Sequence, residues 1–152
     1  MPRAAGKGLR NLLDKLDNDR IVEAIRSAES RSTGEIRVHI SGRKVKDVQA
    51  AAARRFEKLG MAATRQRNGV LLYVAPRVAR FAVLGDTAIH DKCGDDFWRE
   101  VAGAVETEFR GGRFTEGIVR GVERLGEVLA QHFPPPAGQA DANELPDRPT
   151  WG

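Results

Sequence analysis

The hydrophobic residues recur every three or four positions in five segments of the chain, which predicts five helices. The periodic residues of the first two helices are Leu9, Leu12, Leu13 and Leu16, followed by Ile21, Val22, Ile25 and Ala28. The third has Val48, Ala52, Phe56 and Leu59, the fourth has Phe97, Trp98, Val101, Val105 and Phe109, and the fifth has Ile118, Val122, Leu125 and Leu129. Each apolar face should pack against a sheet or another helix.

Capping residues predict where these helices begin and end. Residues 17–19 interrupt the first pattern and offer an N-cap for the second helix. Gly60 is a natural end for the third helix. Asp95 or Asp96 can cap the fourth helix, and Thr115 can cap the fifth.

Three further segments have the hydrophobic pattern of strands. Residues 35–40 alternate strictly between polar and apolar, whereas residues 70–75 form a continuous apolar run that suits a central strand. Residues 78–84 follow after only Pro76 and Arg77, so the second and third strands should be antiparallel. The helix between the first two strands predicts a right-handed parallel crossover. The sequence therefore predicts an α/β fold with a mixed sheet.

The length and composition favour one folded domain with a tail. A chain of 152 residues is the usual size of a single domain. Residues 1–133 should form this domain. Residues 134–152 begin with three prolines and continue with an acidic, weakly apolar sequence, which predicts a flexible tail.

The composition also excludes several classes of protein. With 41% hydrophobic and 30% charged residues, the chain is too apolar for a disordered protein and too charged for a membrane protein. No segment approaches the ~20 apolar residues of a membrane span, and the N-terminus lacks the apolar run of a secretory signal. A single cysteine, Cys93, excludes an internal disulfide and a cysteine-based zinc cluster. We expect a soluble, cytoplasmic monomer.

The charges are distributed unevenly. Residues 37–80 contain eleven Lys or Arg and two acidic residues, whereas residues 86–127 contain ten acidic residues and six basic ones. A basic segment of this kind can attract an anion or a nucleic acid. The alternative is that its charges only solvate the outer faces of a strand and a helix.

The predicted topology brings a group of polar residues to one edge of the sheet. The start of the first strand, the start of the second and the end of the third should meet there, because the first two strands are parallel and the third is antiparallel. We call this edge the rim. Its residues are Glu35, Asn68, Gly69, Gly85 and Asp86, joined by His90, Asp91, Asp95 and Asp96 from the segment that follows the third strand.

Carboxylates gathered in this way suit a hard divalent cation. Calcium and magnesium prefer several oxygen ligands, and clustered acids that stay ionised need a cation or water to relieve their repulsion. Each residue also has a plainer explanation: Asp95 or Asp96 as an N-cap, Glu35 as an exposed strand residue, and Asp86 as a turn former. No motif of fixed metal-ligand spacing is present.

Several strings in the sequence resemble the TPM domain family. They are the run from Asn68 to Ala75, the strand Phe81 to Gly85 with Asp86, then Asp95, Phe109-Arg110, Phe114 and Gly117. The similarity extends from about Thr33 to about Leu129. It implies an α/β/α sandwich of three layers, a divalent cation at an acidic cleft, and the acid phosphatase activity known for some members.

The resemblance also assigns positions, and the chain departs from the family at some of them. Asp95 matches the Asp that opens a helix in the family, Gly85 matches a strand-end Gly, and Arg110 matches the Arg of a Phe-Arg element. The family's Gly-Leu-Glu-Gly loop is replaced by residues 88–91, where His90 takes the place of a carboxylate. Gly-Arg-Phe at residues 112–114 replaces the usual Gly-Asp-Tyr.

Three functions remain open from the sequence. The first is a binding module that holds calcium or magnesium at Glu35, Asp86 and Asp95, with another protein as a possible partner. The second is a metal-dependent phosphatase, in which Arg110 or Arg67 would neutralise phosphoryl oxygens and His90 would protonate the leaving group. The third is an anion or nucleic-acid binder through residues 37–80, although that segment lacks the aromatic residues typical of nucleic-acid binders.

Overall fold

Four α-helices and a four-stranded sheet form the parts of the chain that the computed structural model describes, residues 16–135 and 149–152. The helices are α1 (Asn18–Glu29), α2 (Val48–Lys58), α3 (Thr87–Arg110) and α4 (Phe114–His132). The strands are β1 (Glu35–Ile40), β2 (Gly69–Ala75), β3 (Arg80–Gly85) and β4 (Thr150–Trp151). The predicted helix at Leu9 to Leu13 lies outside the described residues.

The sheet is mixed, as the sequence predicts. Its strand order is β3-β2-β1-β4. Strands β1 and β2 are parallel, with Glu35 opposite Gly69, and β2 and β3 are antiparallel, with Val70 opposite Gly85. The parallel pair is joined through α2, and the antiparallel pair through a short 3-10 helix at Pro76–Val78.

Helices cover both faces of the sheet, which confirms the three-layer α/β/α sandwich. Ile36, Val38 and Ile40 of β1 belong to a core shared with α1, α3 and α4. Leu71 and Tyr73 of β2 belong to a second core, on the side of α2. The alternation along β1 therefore places Glu35, Arg37 and His39 toward the second face, where all three are buried.

Two predicted helix ends differ from the structure. Helix α3 begins at Thr87 with Asp86 as its N-cap, earlier than the sequence predicts, and Asp95 and Asp96, the predicted caps, directly follow a break in the helix. The helix is kinked at Gly94, whose φ of 69° and ψ of −176° are not helical. The sequence predicts a loop at residues 87–93, because the glycine at position 94 interrupts the helical pattern before the rest of α3.

The start of α4 is the second difference. The helix begins at Phe114, and the residue at its N-cap position, Arg113, makes no side-chain cap. Thr115, predicted as the cap, lies one residue inside the helix, and its hydroxyl accepts a hydrogen bond of 3.2 Å from the backbone N–H of Asp17. That hydroxyl therefore ties α4 to the start of α1, where Asp17 is the N-cap as predicted.

The strands differ from prediction at two places. Strand β3 begins at Arg80 because Val78 completes the 3-10 turn and Ala79 follows in the left-handed region, at φ 52°. At the C-terminus, Thr150 and Trp151 pair with His39 and Ile40 in parallel register. These two residues belong to the sheet. The sequence predicts them as part of a flexible tail after residue 133, and the structure corrects this for Thr150 and Trp151.

Candidate functional site

The rim forms where the start of β1, the start of β2 and the end of β3 meet. Glu35 lies opposite Gly69, and the N–H of Asp86 donates to the carbonyl of Gly69 at 2.9 Å. Glu35 and Asp86 thus flank β2 on its two sides, and the usual strand spacing puts their backbones about 10 Å apart. The register brings together the backbone of the residues that the sequence places at this edge.

Asp86 and Arg67 form an ion pair at the centre of the rim. Arg67 donates to the carboxylate of Asp86 through Nε at 2.7 Å and through Nη2 at 2.9 Å. Such a two-point contact fixes both the direction and the plane of the carboxylate. The Asp86 side chain is 4% exposed, whereas that of Arg67 is 51% exposed.

The surroundings of Asp86 keep its carboxylate ionised. Burial opposes the charge, but the hydrogen bonds from Arg67 and from the N–H of Thr87, together with the charges of Arg67 and His90, outweigh it. The pKa of Asp86 is therefore lowered from its ordinary value of 3.8. As the N-cap of α3, the same carboxylate also satisfies a backbone donor at the positive end of the helix.

The turn before β2 is held by a network of polar side chains. The Asn68 amide nitrogen donates to the hydroxyl of Thr33 at 3.0 Å, and that hydroxyl donates to Oε1 of Gln66 at 3.0 Å. The N–H of Asn68 donates to the hydroxyl of Thr64 at 3.3 Å. Because Asn68 is 1% exposed, these bonds fix the backbone that carries Arg67 to Asp86.

The first turns of α3 carry the remaining rim residues. His90 lies one turn after Asp86, and its ring contacts that of Trp98 at 5.4 Å between centroids. Asp91 and Asp96 are exposed. The Asp95 side chain lies outside the described residues, so the structure gives its place on α3 only.

Arg110 is not at the rim. It lies at the last residue of α3, and the helix from Gly94 to Arg110 alone is about 24 Å long. Arg110 forms an ion pair with Glu106 at 2.5 Å on the surface of this helix. The phosphatase arrangement that uses Arg110 therefore does not form in this structure, whereas the alternative arginine, Arg67, lies beside Asp86.

The rim side chains that the structure describes do not converge as a ready metal centre. Over residues 16–135 and 149–152, leaving aside the side chain of Asp95, no three His, Cys, Asp or Glu side chains approach closely enough to hold a metal ion. Both oxygens of Asp86 are engaged by Arg67. At Asp86, the rim is a buried carboxylate neutralised by a half-exposed guanidinium.

Sequence reasoning assigned Arg67 a role toward a phosphoryl group, and it missed the pairing with Asp86. Arg67 has φ 52°, in the left-handed region that non-glycine residues rarely adopt. Its carbonyl accepts from the N–H of Ala88 at 3.1 Å, which links the turn before β2 to the start of α3. A contact between segments about twenty residues apart leaves no periodic signal in a sequence.

Comparisons with known proteins show the family. The chain belongs to the TPM domain family, whose model matches residues 9–128. No functionally curated protein matches the chain. In the described residues, no helix is both long enough and apolar enough to cross a membrane.

Solved structures share the fold. The BA42 protein of the psychrophilic bacterium Bizionia argentinensis is 39% identical, covers 91% of this chain and 96% of its own, and superposes with a TM-score of 0.83. The N-terminal domain of the cg2496 protein from Corynebacterium glutamicum is 13% identical, covers 76% of this chain and 75% of its own, and has a TM-score of 0.61. The N-terminal domain of a protein from P. gingivalis is 18% identical, covers 73% and 74%, and has a TM-score of 0.59.

Proposed function

We propose that this TPM domain is a binding module that takes up a divalent cation, calcium or magnesium, at the rim. Asp86 would be the central ligand, with Glu35 and Asp95 as the further carboxylates. The observation that carries the proposal is the Asp86 carboxylate, which is buried, held ionised, and already contacted on both oxygens by a positive group.

The donor chemistry of the rim suits these two cations. Its side chains offer carboxylate and amide oxygens, which calcium and magnesium prefer, and no thiolate. His90 is the one nitrogen donor of the set and a poor ligand for either ion. A bound cation would place a fixed positive charge beside the Asp86 carboxylate at the start of α3, as Arg67 does in this structure.

Arg67 and a cation compete for the same carboxylate. The Arg67 side chain is 51% exposed, so its guanidinium can move into water at little cost in buried surface. Removing Arg67 should therefore strengthen cation binding, because Asp86 would then be a buried carboxylate without that partner. If Arg67 acted only through the net surface charge, its removal would strengthen cation binding much less.

A calcium titration followed by amide NMR tests the proposal. We expect the wild type to shift at Asp86, Thr87 and Glu35, and Asp86→Asn to lose the response. Arg67→Gln should bind calcium about tenfold more tightly than the wild type, since a competing charge-assisted pair is gone.

Arg77→Gln is the matched control. Arg77 is an exposed arginine at the opposite end of β2, so its loss changes the net charge equally without touching the rim. Equal effects of Arg67→Gln and Arg77→Gln would contradict the proposal. So would the absence of rim shifts at millimolar calcium or magnesium.

A further inference from the structure

A pocket with a strongly basic lining lies at the end of the parallel strands opposite the rim. Its volume is about 460 Å³, and it is lined by the loop after β1 and by α2. We call it the basic pocket, after its six basic residues: Arg43, Lys44, Lys46, Arg54, Arg55 and Lys58. Cavities of this size are typical of sites for small ligands.

Within the described part of the chain, the acidic side chains leave the positive charge of the basic pocket unpaired. No carboxylate among residues 16–135 and 149–152 forms an ion pair with any of the six basic side chains. Asp47 is the acidic residue of the lining, and its carboxylate is turned to α2, where it accepts from the N–H of Ala50 at 3.1 Å. Like charges held together without counter-charges favour an anionic ligand.

The position of the basic pocket in the fold also favours an anion. It lies where β1 ends at Ile40 and the chain passes through one loop to the N-terminus of α2. In open α/β sheets, ligands bind at the carboxyl ends of the parallel strands, and helix N-termini carry partial positive charge. Here the loop itself contributes three of the six basic residues.

The basic pocket is bounded on one side by residues of the sheet and of the C-terminal segment. Tyr73 and Gly152 line it, and the Tyr73 ring is stacked on the buried ring of His39, its neighbour on β1, at 5.3 Å between centroids. Gly152 is fixed by backbone hydrogen bonds to Ile40 and Gly42 of 3.2 Å and 3.1 Å. The arginines therefore surround a cavity whose inner side belongs to the sheet and to the segment paired with it.

We propose that the basic pocket binds a small anion carrying two or more phosphate groups. Three arginines offer the planar, two-point donors that match phosphate oxygens, and three lysines add charge. The basic pocket lies on the face of the sheet covered by α2, at the end opposite the rim. Anion binding there does not depend on a cation at Asp86.

The observations favour a small anion over a nucleic acid. Proteins that bind single-stranded nucleic acids combine a basic groove with exposed aromatic rings on which bases stack. The aromatic ring of the basic pocket, Tyr73, is 4% exposed and already stacked on His39. A single anion can occupy the cavity without such stacking.

Calorimetric titration of the full chain with inorganic pyrophosphate tests the proposal. The buffer contains no divalent cation and about 150 mM salt, which screens non-specific surface attraction. We expect saturable binding of one pyrophosphate per chain. The double variant Arg43→Gln with Arg54→Gln should weaken it by about tenfold or more, because two charge-assisted contacts are lost.

The control is Arg99→Gln with Arg124→Gln, which removes the same charge from exposed positions on α3 and α4, on the other side of the sheet. This variant should bind pyrophosphate like the wild type. Equal weakening in both double variants, or no saturable binding at about 1 mM, overturns the proposal. A single-stranded oligonucleotide that binds and is not displaced by pyrophosphate overturns it in favour of an extended nucleic-acid surface.

Discussion

The Nδ1 atom of His39 and the hydroxyl of Thr150 lie 2.6 Å apart and join β1 to the C-terminal strand. His39 is fully buried, so this bond satisfies a polar atom that has no access to water. The two residues also pair through the backbone register of β1 and β4. The last residues of the chain thus close one edge of the sheet and cover a buried histidine.

Replacing Thr150 by valine should destabilise the fold by about 1–3 kcal/mol, because it leaves Nδ1 of His39 buried without its partner. The free energy of unfolding in urea measures the effect. Thr107→Val is the control, since the Thr107 hydroxyl bonds to the carbonyl of Gly103 at an exposed position. Equal stabilities of Thr150→Val and the wild type would show that β4 does not hold the sheet edge.

His39 should make the protein less stable as the pH falls below neutral. Burial first, and then the charges of Arg55 and Arg37, lower the pKa of His39 from 6.5 to about 4. The unfolded chain takes up a proton near pH 6.5 and the native state only near pH 4, so stability is lost as the pH falls between these values. The loss should total about 3 kcal/mol.

The test is the slope of unfolding free energy against pH, compared between the wild type and His39→Gln. The substitution should flatten the curve between pH 6.5 and pH 4, whatever it does to stability at neutral pH. A variant curve parallel to that of the wild type across this interval would contradict the lowered pKa.

Asp86 should affect the stability of the protein at lower pH than His39 does. Because its pKa is lowered below 3.8, it stabilises the native state at higher pH, and this contribution is lost as the pH falls through and below that value. Asp86→Asn and Arg67→Gln should both flatten the acid limb of the stability curve. Acid unfolding followed by circular dichroism checks this, and an unchanged acid limb in either variant contradicts it.

Two glycines of α3 should respond in opposite directions to alanine. Gly94 adopts φ 69° and ψ −176°, a conformation that is essentially restricted to glycine, so Gly94→Ala should cost about 1–3 kcal/mol. Gly103 lies inside the same helix with open space around it, so Gly103→Ala should gain up to about 1 kcal/mol. Thermal unfolding of both variants measures this, and destabilisation by Gly103→Ala as well as by Gly94→Ala would contradict the prediction.

Hydrolysis of an aryl phosphate should be weak or absent. Arg110 lies at the far end of α3 from the rim, and Arg67 is engaged by Asp86. The measurement is turnover with calcium or magnesium from about pH 5 to about pH 8, the range in which a histidine acid would act. Robust metal-dependent activity that His90→Ala and Asp95→Asn both abolish would replace the binding module with an enzyme.

The local pattern of the sequence determined most of the helices and strands. The alternation in β1, the apolar run in β2 and the short connection to β3 predict the mixed sheet, because side-chain period and loop length are local properties. The hydrophobic pattern does not indicate the helical segment at residues 87–93, because the non-helical backbone at Gly94 separates it from the rest of α3. The meeting of the start of β1, the start of β2 and the end of β3 at the rim followed from strand directions alone.

The tertiary structure decided the chemistry of the two sites. The Arg67–Asp86 pair, the distance of Arg110 from the rim and the bond between His39 and Thr150 all join or separate residues far apart in the chain. The sequence determined that residues 37–80 are basic, but only the fold placed six of these charges around one cavity. Periodicity reports which face of an element is buried, whereas contacts between the ends of different elements depend on how the layers pack.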